Sequence, residues 1–404
     1  MQALIDALLL RTGYNASLVG IGSALLGFSA GAAGTFLYLR KRALVSDAIA
    51  HATLPGVVLA FLIMVSFGAD GRSLMGLLIG SAVSAALGLF VMEWMTRNTR
   101  LSEDAAIGAV LSVFFGFGVV LLTVVQSVGQ GRQAGLQDLL LGSSAGMLFS
   151  DAITIAIGGA VTVAIVWVLK RPMSLVSFDA EFSSGIGINA RQIDLAIMGL
   201  VLAVTVIGLK LVGLVLIVAL LIIAPVAARF WTENAARIIW ISGLIGAVSG
   251  YVGAAISASV PSVPTGPVIV LTATTLFVIS LFCAPSRGLA AQFLARRDFR
   301  RRVHRRQGLL SLSRGEPIHD GLTLRVLIKD GLIRPDGVAT EDGRALAAKI
   351  ARDERRWDVA RHVHQDTALA GRYDGLTAIE DLFTPDEIQE FDRIIGGPTP
   401  VGGQ

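Results

Sequence analysis

Nine apolar stretches, at about 17–39, 44–67, 74–96, 105–127, 150–170, 193–209, 211–230, 237–259 and 266–284, leave this chain few folds to choose from. Each approaches the roughly 20 residues that a helix needs to cross a bilayer, about twice what a barrel strand uses. Backbone N–H and C=O groups cannot stay unpaired in lipid, so stretches of this length read as membrane helices and the domain they build is all-α. The sixth and seventh are the least separate. Only Lys210 and its neighbours divide them, and Gly208 and Gly213 permit either a tight hairpin or one broken helix. Charge marks where the membrane part stops: residues 1–285 hold 26 of the 64 charged side chains, and the last 119 residues hold the other 38. The expected organisation is an N-terminal surface segment over 1–16, a polytopic domain over 17–285, a basic juxtamembrane linker over 286–306 and a cytoplasmic domain over 307–404. The first segment carries Asp6 and no small-residue cleavage pattern, which reads as a surface helix and not a signal peptide. Cys283 is the only cysteine, which excludes a disulfide within the chain and a cysteine-based zinc site.

Basic residues in alternate connections set the orientation. One set holds Arg40, Lys41, Arg42, Arg97, Arg100, Lys170, Arg171, Arg191, Arg229 and Arg237; the other holds Arg72, Arg132 and Lys210. Ten against three places the first set inside the cell, the N-terminus outside and the C-terminal domain inside, as nine crossings require. Glycines within the stretches, such as Gly27, Gly31 and Gly34 or Gly243, Gly246 and Gly250, allow close helix approach.

Asp47 and His51 lie four residues apart in the second stretch, so a helix stacks them on one face, one turn apart. Ionisable side chains at membrane depth are costly and mark an ion or substrate route by default. Pro55 has no N–H and leaves the carbonyl of His51 free for another donor or a cation. The plain alternative is a proline-kinked helix whose acid and imidazole satisfy each other. A carboxylate oxygen with an imidazole nitrogen suits Mn²⁺, Fe²⁺ or Zn²⁺, and two protein ligands leave positions for water or a symmetry mate. Such an incomplete shell fits a conduit, which must release its ion. Glu93, followed by Trp94 and Arg97 near a stretch end, reads as an interfacial ion pair, and Asp104 and Glu233 fall in loops.

Ser177 to Asn189 is too polar to insert and too patterned for a simple connector. Asp179 in a capping position, Phe178 and Phe182 one turn apart, and Gly185 or Gly187 as terminator predict a short amphipathic helix. Such a helix either docks on a soluble partner or floats at the headgroups, and the residues alone do not separate the two.

Five stretches, in order, carry a resemblance. They are Val45–Gly56, Arg100–Gly108, Ser177–Asn189, the segment from Leu209-Lys210-Leu211-Val212-Gly213 to Ala224-Pro225-Val226-Ala227-Ala228-Arg229, and Pro264-Thr265-Gly266-Pro267. Together they resemble the membrane-spanning permease subunit of the ATP-binding-cassette importers for manganese, zinc and iron. The resemblance implies a type II importer-like bundle in a bacterial cytoplasmic membrane, with no catalytic site of its own. It implies a cytoplasmic ATPase, an extracytoplasmic metal-binding protein and a second permease, either a copy of this chain or a sister subunit. The cargo would be manganese in the first place, or zinc or iron, with no permanently bound cofactor. Asp47 and His51 would pass the metal, and Asp179, Glu181, Phe182, Gly185 and Gly187 would form the helix that sits in the ATPase. The chain has no Gly-x-x-x-x-Gly-Lys-Ser/Thr phosphate loop, which agrees with ATP being handled by another subunit. A proton-coupled secondary metal transporter using Asp47 and His51 is the first alternative, but it has no partner to receive that helix. A membrane-anchored metal-responsive regulator is the second, and nine spans are excessive for an anchor.

After the last stretch come Arg296, Arg297, Arg300, Arg301, Arg302, Arg305 and Arg306, with His304 between them. Seven arginines beside a membrane read as a contact to anionic lipid rather than to nucleic acid. In the tail, 322–328 reads as a helix, Lys329–Val338 as a small hairpin or wing, and Thr340 as the cap of a long helix over 340–350. This tract resembles the winged-helix domain of metal-dependent repressors, which implies a small α(+β) domain. His362 and His364, two apart, diverge on a helix and read as solvated. Residues 374–393 read as an acidic helical end that folds back on the basic run.

Overall fold

The computed structural model describes residues 2–11, 13–68, 73–127, 147–260, 263–363 and 376–396, and the chain divides into two compact units, Met1–Ala291 and Gln292–Gln404. The first unit is helical throughout its described residues. After α1 (Gln2–Leu8) come α2 (Tyr14–Leu39), α3 (Leu44–Ser66), α4 (Leu74–Asn98), α5 (Glu103–Ser127) and α6 (Phe149–Phe178). The short α7 (Ala180–Gly185) follows, then α8 (Ala190–Arg229), α9 (Ala235–Ser259) and α10 (Thr265–Cys283). Among the described residues eight helices are long and apolar enough to cross a membrane; Leu216–Arg229 is apolar but shorter.

The nine-helix expectation is corrected at α8. Residues 193–209 and 211–230 lie in one element broken at Gly213, where φ 76° and ψ 171° leave the helical region and suit a residue without a Cβ. Its second part, 14 residues or about 21 Å of helix, is too short to cross the hydrocarbon core alone. The break is a reversal. A Cβ placed on Gly208 would lie 2.7 Å from Cδ1 of Ile217, nine positions on, which a continuous helix would hold about 13.5 Å away. Both ends of α8 therefore meet the same end of the bundle. Asp194 in its first turns pairs with Arg40 just after α2, and its last turn precedes α9, which runs antiparallel to α2.

The pairing of α2 with α9 is the most extensive among the described helices. A Cβ on Gly27 would sit 2.1 Å from the Gly246 oxygen, one on Gly31 2.3 Å from that of Ser242, and one on Gly250 2.2 Å from that of Ser23. Small residues on both faces thus bring backbone against backbone, and Ser242 donates across the seam to the Gly31 carbonyl at 2.7 Å. Replacing Gly27 or Gly246 by Leu is expected to push the helices apart and lower stability by at least about 2 kcal/mol. Thermal unfolding in detergent reads this, and Gly199→Ala, where a Cβ meets nothing within 4 Å, should be neutral or stabilising.

In the second unit, α11 (Leu289–Arg314), α12 (Gly321–Lys329) and α13 (Glu341–Val363) enclose Leu309, Leu327, Leu332, Ile333 and Ala347. Thr340 caps α13 as expected, accepting from the Gly343 N–H at 3.1 Å. The winged-helix α(+β) expectation is not supported: the described residues contain no strand, only an isolated antiparallel bridge between Ile333 and Ala339. Five residues, Arg334 to Val338, close that turn, and Pro335 lacks the N–H that a ladder would need. A 3₁₀ turn (Ile379–Asp381) and α14 (Pro385–Gly396) bury Ile379, Phe383 and Phe391 against Trp357 of α13. The acidic end folds onto α13 and not onto the basic run. Arg356 donates to both oxygens of Asp392, at 2.7 and 2.5 Å, and these bonds hold the Asp392 carboxyl below the usual carboxylate range. His362 is exposed with Nδ1 2.7 Å from the Asp358 carbonyl, and His364 lies outside the described residues.

Candidate functional site

Helix α3 carries the first candidate site at its Arg40 end. From Val45 to Val58 every residue is buried except Asp47 and His51, whose side chains are 40% and 25% exposed. The i,i+4 spacing stacks the pair on the one open strip of the Val45–Val58 stretch. Two neighbouring helices pack against α3 here. Gly56 meets Gly80 of α4, Ser84 donates to the Ala52 carbonyl at 2.7 Å, and Phe115 of α5 sets its ring edge-on to His51, with centroids 5.0 Å apart. Asp47 lies in the first turn of α3 and His51 in the second, about 5 and 10 Å along the axis from Leu44.

The contact between the two groups is loose: His51 Nε2 is 3.4 Å from Asp47 Oδ1, longer than a good hydrogen bond, and His51 Nδ1 is buried with no hydrogen-bond partner among the described residues. Among the described residues no third His, Cys, Asp or Glu joins them to complete a metal-binding group. The arrangement offers a cation one carboxylate and one imidazole, and leaves the remaining positions to solvent or another chain.

The second candidate site lies between α6 and α8. The Asp179 carboxylate accepts from the Phe182 N–H at 2.9 Å and caps α7, the position the sequence assigned to it. The helix ends at Gly185, and Gly187, with φ 89°, turns the chain so that Asn189 can cap α8. Within α7 only Ser183 is buried; Glu181 and Gly185 are exposed. Phe178 at the end of α6, Phe182 in α7 and Ile186 just after it are 66%, 57% and 55% exposed.

Arg40, read from the sequence only as a loop cation, ties this segment to the rest of the bundle. It donates to the Val176 carbonyl, in the last turn of α6, at 2.9 Å, and to the Asp194 carboxylate of α8 at 2.6 Å, with the side chains of both charged residues largely buried. Two residues later Arg42 pairs with Glu103 in the first turn of α5 at 2.9 Å. Clamps on both sides of α7 are thus four residues ahead of the helix with Asp47 and His51. Glu93 pairs with Arg97. Glu233 pairs with Arg287 at 2.9 Å, and hydrogen bonds from Arg287 hold the Glu233 carboxyl below the usual range.

The basic run occupies α11, where its arginines divide into two groups. Arg301 and Arg305 both reach Asp330, and Arg306 reaches Glu354. Arg296, Arg297, Arg300 and Arg302 are exposed and make no ion pair among the described residues. His304 Nδ1 lies 2.9 Å from the Thr323 hydroxyl, and hydrogen bonding from that hydroxyl holds the Asp320 carboxyl below its usual range.

Residues 15–284 match the ABC 3 transport family. The manganese transport system membrane protein MntC of Bacillus subtilis (strain 168) is 41% identical over 298 residues, covering 74% of this chain and 67% of that protein. The zinc transport system membrane protein TroC of Treponema pallidum (strain Nichols) is 38% identical over 284 residues, 70% of this chain and 94% of that protein. Among solved structures, PsaBC from Streptococcus pneumoniae in complex with Fab aligns with a TM-score of 0.62 at 30% identity, over 74% of this chain and 100% of that one. The match spans the bundle that holds α3 and α7, and this chain belongs to the ABC 3 transport family.

Proposed function

We propose that this chain is the permease subunit of an ATP-driven importer of a divalent transition metal, manganese in the first place. The observation that carries the proposal is the Asp47–His51 pair: two metal-type donors that are the only residues of the Val45–Val58 stretch of a membrane helix not buried, in a family whose relatives are named for manganese and zinc transport. Removing water from such groups is costly unless an ion or a path uses them. An incomplete shell holds a cation weakly enough to pass it on. The Arg40 end carries the basic connections and so faces the cytoplasm, which puts Asp47 and His51 on the inward half of the route and the C-terminal unit inside the cell. An extracytoplasmic metal-binding protein delivers the ion, and a second permease, a copy or a sister, completes the path.

In this scheme the exposed apolar side chains Phe178, Phe182 and Ile186 seat α7 in a cytoplasmic ATPase. When the ATPases close on ATP, α7 moves with them. Arg40 carries that movement from the ends of α6 and α8 into the link before α3, and the bundle opens alternately around the level of Asp47 and His51. Phe182→Ala, or a charge reversal at Glu181, is expected to lower transport-coupled ATPase activity several-fold without lowering expression, because both side chains face solvent and support no core. ATPase rate and metal uptake measured on the same complex check this, and unchanged coupling in both variants would remove α7 from the role.

A further inference from the structure

The C-terminal unit holds a groove that transport leaves unused. It lies between α11 and α12, has a volume of about 690 Å³ and is lined by Arg296, Arg297 and Arg300 of the first helix and Arg325 and Lys329 of the second. Its volume falls in the range of built ligand sites. None of these five cations makes an ion pair among the described residues, and one carboxylate, Asp298, lines the groove with them. Arg301, paired with Asp330, and His304 line the groove as well, whereas Arg305 and Arg306, outside it, pair with Asp330 and Glu354, so that Arg296, Arg297 and Arg300 are the arginines of this helix left unpaired in the hollow. The unpaired set is reinforced from α12, which the linear arginine run does not reveal.

The other wall is apolar. Phe293, Leu294 and Leu322 line the same groove and are 69%, 58% and 54% exposed, which is costly in water. Cations beside exposed apolar side chains match an anionic amphiphile: phosphate oxygens against guanidinium forks, and the first acyl carbons against Phe293 and Leu322. Chain length supplies the source. Phe293 comes ten residues after Cys283, the end of the last membrane helix, so the chain keeps it within about 35 Å of that end. We propose that this groove binds an anionic phospholipid of the surrounding membrane, headgroup phosphate on the five cations and glycerol–acyl junction on the apolar wall. The inference stands independently of the transport assignment, since it uses only residues of the C-terminal unit and its tether.

The test uses the full-length chain in a neutral detergent and counts bound lipid by native mass spectrometry during titration with phosphatidylglycerol or phosphatidylcholine. Wild type is expected to bind one phosphatidylglycerol that the triple variant Arg296→Ala, Arg300→Ala, Arg325→Ala binds about 100-fold more weakly, at roughly fivefold for each cation near an anionic headgroup. Those three residues support none of the ion pairs to Asp330 or Glu354, so the unit should fold unchanged. Phe293→Ser should weaken phosphatidylglycerol and leave glycerol phosphate unaffected. Equal binding by wild type and the triple variant would overturn the proposal. So would glycerol phosphate binding as tightly as the lipid, or displacement of the lipid by a single-stranded oligonucleotide, which would make the groove a site for free phosphate or for nucleic acid.

Discussion

Asp47→Ala and His51→Ala are each expected to lower metal uptake by about 100-fold or more while the complex still assembles. Loss of a group that merely orients a metal ligand already costs about 10–100-fold, so loss of one of two protein ligands should cost at least the upper figure. Stability should change little. Asp47 is 40% exposed and its contact with His51 is 3.4 Å long, so no core packing depends on it. His51→Ala also removes the edge contact with Phe115, at a cost of about 1 kcal/mol. Metal-dependent growth, with purification of the assembled complex as the control, checks both variants. Normal growth in both would take the metal path away from this pair.

Arg40→Ala should have the second largest effect, and of a different kind. It leaves Asp194 buried without its cation, and breaking a buried pair from one side typically costs about 3–5 kcal/mol. It also leaves the Val176 carbonyl without its donor, which frees the end of α6 next to α7. Thermal unfolding should therefore fall by several degrees, and metal uptake should fall further than ATPase activity. Arg40→Lys should recover only part of both, because one ammonium cannot reproduce a fork that reaches the carbonyl and the carboxylate together. The double variant Arg40→Gln, Asp194→Asn should be more stable than Arg40→Gln alone; if the two changes simply add, the pair is not a clamp.

What the sequence made legible follows from the range of the interactions concerned. Membrane helices, the stacked Asp47 and His51, the Asp179 cap and the Thr340 cap are local: spacing and residue type within one or two turns decide them. Gly213 was legible as a weak point, but whether the chain bends or reverses there depends on Ile217 finding room beside Gly208, a packing fact. Arg40 was visible as charge and invisible as a clamp, since Asp194 is 154 positions away. The same holds for the arginines of α11, whose pairing depends on Asp330 and Glu354 brought in by other helices. The expected wing stops at one bridge for a local reason that the sequence does contain, Pro335 in a five-residue turn.

Uptake of radiolabelled manganese into proteoliposomes holding this chain with its ATPase and metal-binding protein tests the transport assignment most directly. Accumulation is expected to require ATP and the ATPase, to disappear with Asp47→Ala, and to survive collapse of the proton gradient. Accumulation driven by a proton gradient in vesicles that lack the ATPase would contradict an ATP-driven importer and return Asp47 and His51 to a proton-coupled carrier.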